Sequence, residues 1–176
     1  MKSKLLLGCG KLQKEGYHNV DCVNLPGVDE VVDLNKPFPW KDNSFDRIEI
    51  SHVLEHLDDV PKVIEEIWRV GKNKATVMIE VPFYNCSTAY GDPTHKHFFN
   101  FASMNYFTAE AGINYYCKAR FKIISKKGIP GPVGKIIPNF SIGKLGFRTK
   151  WGLRDLLSHL IPETVRAVRW ELEVIK

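Results

Sequence analysis

Two groups of residues in this chain have types and spacings suited to chemistry. The first is Gly8-Cys9-Gly10, followed by Asp21, by Asp33 with Leu34, and by Ser51 with His52. Glycines let backbone approach a ligand with no Cβ in the way. A carboxylate at Asp21 can accept both hydroxyls of a ribose, and Asp33 is a candidate partner for an adenine amino group. The second group is Asp92, His95 and His97, beside Tyr84, Asn85 and Tyr90. A histidine titrates near neutral pH and can take a proton from an acceptor. His95 is the first candidate base and His97 the second, with Asp92 placed to orient the imidazole. Two other readings fit the same loop. The histidines bond backbone groups in a structural role, or Asp92, His95 and His97 surround a metal ion.

The elements that position these groups follow from the hydrophobic pattern. Short apolar runs at Lys4–Gly8, Asn19–Val23, Glu30–Leu34 and Phe45–Ile50 read as strands buried on both faces. Asp58 to Val70 reads as a helix, with Asp58 or Asp59 as cap and Pro61 in the first turn. Val63, Ile64, Ile67 and Trp68 form its apolar face, and Gly71 ends it. Thr76–Val81 is then a strand, so residues 45–82 make a βαβ unit. A second helix is expected from Ser103 to about Gly112, and a strand at Phe121–Ser125. A Gly/Pro-rich basic loop or lid is expected over 128–150, a helix over Trp151–Leu160, and a last, antiparallel strand over Ala167–Ile175 at the sheet edge. In an open α/β sheet, ligands bind at the carboxyl ends of the strands, where strand order switches. The first group of residues ends or follows four of these strands.

A G-x-G pair alone also fits a plain tight turn. The G-x-G-x-x-G fingerprint is absent, because Gln13 stands at its last position. No helix of normal length fits between Gly10 and Asn19, so a pyrophosphate would lack a helix N-terminus. That argues against a dinucleotide and for a cofactor without pyrophosphate.

Five ordered segments carry a resemblance. They are Leu5-Leu6-Leu7-Gly8-Cys9-Gly10, Gly16-Tyr17-His18-Asn19-Val20-Asp21, Val31-Val32-Asp33-Leu34, Asp42-Asn43-Ser44-Phe45-Asp46 and Ser51-His52-Val53-Leu54-Glu55-His56-Leu57. Together with Asp92-Pro93-Thr94-His95 and Phe98-Phe99, the set resembles the class I S-adenosylmethionine (SAM)-dependent methyltransferases, and within them the small type 11-like branch. The resemblance spans roughly residues 4–110. It implies an α/β fold with a Rossmann-like, open, mostly parallel seven-stranded sheet and helices on both faces, truncated at the N-terminus. It implies SAM as cofactor: Gly8, Cys9 and Gly10 under the methionine part, Asp21 on the ribose, Asp33 and Leu34 around the adenine, Ser51 and His52 at the methionine end. The chain departs from the wider superfamily in its short glycine motif and in lacking the helix that usually follows.

His52-Val53-Leu54-Glu55-His56 also matches H-x-x-E-H, a zinc-protease pattern. That chemistry needs both histidines on one helix face. Here a strand runs straight into the motif, so His56 reads as a packed or capping residue and no metal is expected.

A chain of 176 residues with 44% hydrophobic and 26% charged residues suits one soluble domain. No apolar run is long enough to cross a membrane and none reads as a signal peptide. Cysteines 9, 22, 86 and 117 form no C-x-x-C pair and read as reduced thiols of a cytoplasmic protein. The net charge is +5, and Ala111 to Arg154 contains no acid but carries Lys118, Arg120, Lys122, Lys126, Lys127, Lys135, Lys144, Arg148, Lys150 and Arg154. Tyr115, Tyr116, Phe121, Phe140, Phe147 and Trp151 are interleaved. Such a segment suits an anionic or saccharide-like acceptor, RNA, or an anionic membrane surface, and equally a solvated face with no partner. Three functions follow as expectations. They are methyl transfer to an O or N atom of a small-molecule or saccharide acceptor, methyl transfer to RNA or protein through the basic segment, and a Rossmann-like binding module without turnover.

Overall fold

A computed structural model describes residues 2–112, 114–137, 141–143 and 151–176. Nine strands occur among them: β1 (Lys4–Leu7), β2 (Tyr17–Asp21), β3 (Glu30–Val31), β4 (Phe45–Ser51), β5 (Gly71–Pro82), β6 (Phe121–Pro130), β7 (Ser141–Gly143), β8 (Trp151–Gly152) and β9 (Val165–Val174). β7 and β8 pair with each other. The other seven form one sheet in the order β3-β2-β1-β4-β5-β9-β6. The ladders from β3 to β5 are parallel, and β9 is antiparallel to both neighbours. The strand order reverses beside β1, which lies between β2 and β4. That is the topological switch point.

Leu5, Leu7, Val20, Ile48, Ile50, Val77 and Ile79 are wholly buried, at alternate positions on adjacent strands. They belong to one apolar cluster that runs from Leu5 to Val174. The α1 helix (Val60–Val70) joins this cluster through Val60, Val63, Ile64, Ile67 and Val70. Asp59 caps it by accepting from the Lys62 amide at 3.1 Å. Gly71 ends it in an extended, not left-handed, conformation. A Cβ there would lie 3.1 Å from both the Ile67 carbonyl and a Val174 methyl, so close packing is the reason for glycine.

A parallel pair of strands usually needs a crossover of a dozen or more residues. β1 and β2 are joined by residues 8–16 alone, without a helix. Side chains do the missing helix's work. Buried Asn19 accepts from the Lys14 amide at 2.8 Å and donates to the Lys14 carbonyl at 3.1 Å. Glu49 on β4 is 3% exposed, pairs with Lys14, and accepts from Tyr17 at 2.7 Å and Arg47 at 2.6 Å.

Several elements differ from the sequence reading. The helix expected at Ser103–Gly112 is a 3-10 turn over Ser103–Phe107. The helix expected at Trp151–Leu160 is a single short helix, Leu153–Leu157 only. Residues 128–130 of the expected lid complete β6, a ten-residue strand. β9 is antiparallel as expected, but it lies inside the sheet and β6 is the edge. β9 pairs along Thr76–Pro82 of β5 on one edge and Phe121–Pro130 of β6 on the other, which satisfies its backbone on both sides. Phe140, Lys144, Phe147, Arg148 and Lys150 lie outside the described residues.

Candidate functional site

Because β1 to β4 are parallel, their carboxyl ends share one edge of the sheet. Gly8-Cys9-Gly10 follows β1, Asp21 ends β2, Asp33 and Leu34 follow β3, and Ser51 and His52 end and follow β4. The eight residues picked out in the sequence therefore meet along one rim, across the switch point.

The glycine turn is left-handed at both ends, with φ of 64° at Gly8 and 51° at Gly10. Cys9, buried between them, donates its amide to the Val20 carbonyl at 2.9 Å. The Gly10 amide donates to Asp21 Oδ2 at 2.8 Å, and the Val23 amide to Asp21 Oδ1 at 3.1 Å. Asp21 is thus fixed by backbone, and each oxygen keeps a lone pair for a further donor. Nothing lies within 4 Å of where a Cβ on Gly10 would stand, so the turn faces open space. Asp33 accepts from the Asn35 amide at 3.0 Å, which holds its carboxyl below the usual range.

At the end of β4 the backbone turns sharply. His52 is a non-glycine residue in the left-handed region, at φ 55°. Strain of this kind costs on the order of 1 kcal/mol and collects at functional sites. Its amide is held by the Glu80 carbonyl at 2.8 Å. Its ring lies between two carboxylates, with Nδ1 3.5 Å from Glu55 and Nε2 3.3 Å from Glu80. Glu55 and Glu80 push its pKa up to about 9, so His52 is cationic at neutral pH. Glu80 in turn holds Arg169 of β9 through its Nε at 2.5 Å.

The second group lies against the 3-10 turn Leu54–His56. The amides of Lys96 and His97 donate to the Glu55 carbonyl at 2.7 and 3.2 Å. His97 Nε2 is 2.9 Å from the Leu57 carbonyl. His95 Nδ1 is 2.9 Å from the Ala89 carbonyl, while its Nε2 is 3.9 Å from Asp92 Oδ2. Asp92 and His95 are neighbours, and His97 is spent on backbone. The H-x-x-E-H segment is no helix: His52 stands in a bend and only Leu54–His56 is helical.

Sequence reasoning weighed Glu55 and His56 only as part of the H-x-x-E-H pattern, read His56 as a packed or capping residue, and did not single out Glu80 or Arg169. A signal for Glu80 existed, since it is a lone acid in the apolar run of β5. Nothing in the sequence says that β9 brings Arg169 to it. Clefts of about 300, 450 and 1040 Å³ open on the described surface, and His97 lines the first. Of the rim residues only Leu34 lines one of them, beside Asp58 and Glu66.

Residues 8–79 match the family model described as a methyltransferase domain. No curated protein matches the chain. Among solved structures, the fold is similar to a SAM-dependent methyltransferase from Archaeoglobus fulgidus, with a TM-score of 0.60 and 18% identity over 97% of this chain and 85% of that one. It is similar to Haemonchus contortus phosphoethanolamine N-methyltransferase 2, solved with S-adenosyl-L-methionine, with a TM-score of 0.57 and 14% identity over 100% of this chain and 50% of that one. It is also similar to the [4+2]-cyclase SpnF, with a TM-score of 0.54 and 12% identity over 98% and 74%. At such identities these likenesses speak to fold. The methyltransferase-domain match covers residues 8–79, the part of the chain that carries the glycine turn and the parallel strands, and the sheet order agrees with the fold of these neighbours.

Proposed function

We propose that the chain transfers a methyl group from SAM to an O or N atom of a small-molecule or saccharide-type acceptor. The observation that carries this is the Gly10–Asp21 hydrogen bond at the switch point. It places a carboxylate suited to a ribose beside a turn with open space above it. SAM supplies a methyl on a sulfonium, which leaves by in-line displacement, so the protein's part is positioning. Gly8, Cys9 and Gly10 form the floor, Asp21 holds the ribose, and Asp33 and Leu34 flank the adenine. Ser51 and His52 meet the methionine end. The cationic His52 suits the methionine carboxylate and is in the wrong state to act as a base. Activation of the acceptor falls to the Asp92–His95 pair, and His97 holds the loop.

A small acceptor is favoured by the location of the lysines. Lys122, Lys126 and Lys127 lie on β6, the sheet edge. Charge on an edge strand keeps other chains from pairing with it, which explains the lysines without an anionic partner. Among the described residues no helix is long and apolar enough to cross a membrane.

Calorimetric titration with SAM and with S-adenosylhomocysteine tests the cofactor site. The expected result is micromolar binding by the wild type, weakened at least tenfold in Asp21→Ala. Equal binding by both proteins would remove the ribose assignment. SAM binding without methyl transfer to any acceptor pool would favour the binding-module reading, and steeply salt-dependent RNA binding would favour a nucleic-acid acceptor.

A further inference from the structure

Glu55 is 1% exposed, yet neither carboxylate oxygen accepts a hydrogen bond from any described residue. Its Oε1 faces His52 Nδ1 at 3.5 Å, in ion-pair range, but Oε2 has no donor. A buried carboxylate without donors is costly.

Two imidazoles share that space. One ligand atom each of Glu55, His56 and His95 lies within 4.8 Å of the other two. The rings of His56 and His95 meet edge to face, with centroids 4.7 Å apart. In both rings Nδ1 is already engaged. His95 Nδ1 lies 2.9 Å from the Ala89 carbonyl, which can only accept, so this nitrogen carries a proton. His56 Nδ1 lies 2.8 Å from Thr94 Oγ1. The Thr94 hydroxyl gives its one proton to Asp92 Oδ1, at 2.6 Å, so it accepts from His56. With Nδ1 of each ring engaged, Nε2 is the nitrogen left for a further ligand. Asp92 Oδ2, 3.9 Å from His95 Nε2, adds negative charge. Glu55 thus has a cationic neighbour at Oε1 but no donor at Oε2, and a ring nitrogen of each histidine lies close to its carboxylate. An imidazole fixed at one nitrogen by a carbonyl or hydroxyl, and bare at the other, is how metal-binding histidines are held.

We propose that Glu55, His56 and His95 bind one divalent first-row transition-metal ion, of the zinc class. Two imidazoles and a carboxylate suit such an ion and leave a coordination position open. The set differs from the zinc-protease pattern in the sequence: His52 is not a ligand, and His95 comes from a different loop. The ion would tie the 3-10 turn after β4 to the loop 92–97. The base role proposed for His95 then belongs to the metal-free protein, because a bound ion would take its Nε2. The inference deepens the acceptor side of the proposed site, but its ligand geometry stands without methyl transfer.

The test is calorimetric titration of chelator-treated protein with Zn²⁺, together with visible spectroscopy of the Co²⁺-loaded protein. The expected result is about one ion per chain, with binding lost in His56→Ala and in Glu55→Gln. Thr94→Val keeps all three ligands but frees the His56 ring, and should weaken binding about 10- to 100-fold. Less than stoichiometric binding by the wild type would overturn the proposal, because a shared proton would then satisfy the cluster. Binding unchanged in both ligand variants would overturn it too. SAM titration of the same samples separates the two readings. Wild-type protein that binds SAM but not Zn²⁺ sinks only this site, and wild-type protein that binds Zn²⁺ but not SAM sinks only the cofactor reading.

Discussion

Val53 occupies the space that a side chain on residue 8 would need: a Cβ built on Gly8 falls 2.2 Å from Val53 Cγ2. The first strand's turn and the fourth strand's exit are thus packed against each other at the switch point. Gly8 is also left-handed, at φ 64°. Gly8→Ala should therefore destabilise the fold by roughly 2–4 kcal/mol, combining overpacking with backbone strain. Val53→Ala in the same chain relieves the clash but not the strain. Denaturant unfolding of the two single variants and the double variant reads the coupling, expected at about 1 kcal/mol or more in the recovering direction. Additive effects would show that the two loops do not touch.

Glu49 gives the fold an acid limit. Burial disfavours its charge, but hydrogen bonds from Lys14, Tyr17 and Arg47 outweigh burial and lower its pKa from 4.5 to about 2. A depressed carboxyl stabilises the fold above its unfolded pKa, and that contribution is lost as pH falls toward the folded pKa. Unfolding free energy should drop by about 2 kcal/mol from this group between roughly pH 4.5 and 2.5. Glu49→Gln should lower stability at neutral pH and flatten that part of the pH profile. An unchanged slope in the variant would place the acid sensitivity elsewhere.

Cys22 reports on the rim. Cys9, Cys86 and Cys117 are buried, and Cys22, next to Asp21, is exposed. Desolvation and then the charge of Asp21 raise its thiol pKa, so it should react more slowly than a free thiol at neutral pH. Iodoacetamide should label Cys22 first, by peptide mass spectrometry, and the rate should rise with pH. SAM should slow the labelling severalfold. Equal rates with and without SAM would move the ribose away from Asp21.

Gly131 lies where β6 ends, in the region read from sequence as a lid. Its amide donates to the Thr164 carbonyl at 3.1 Å, and an added Cβ would fall 2.2 Å from the Glu163 carbonyl oxygen. That neighbour is backbone and cannot rotate away. Gly131→Ala should lower stability by about 1–3 kcal/mol, measured by thermal or denaturant unfolding. A neutral result would mean the approach of 131 to 163 is loose.

What the sequence determined by itself is the set of strands that makes the parallel half of the sheet and the residues that end them. Glycine turns, an acid at the end of β2 and short apolar strands are local signals, each written within a few residues. Strand polarity then carries Gly8, Asp21, Asp33 and Ser51 to the same edge. Only the tertiary structure decided the rest, because it depends on contacts between distant segments. The interior place of β9 comes from pairing with strands that lie far from it in sequence, and it delivers Arg169 to Glu80. Residues 8–16 replace a helix because Asn19 and Glu49 reach across from other strands. Likewise His56 and His95 are 39 positions apart in the sequence, and only the fold of loop 92–97 onto the turn after β4 sets their rings edge to face beside a buried carboxylate.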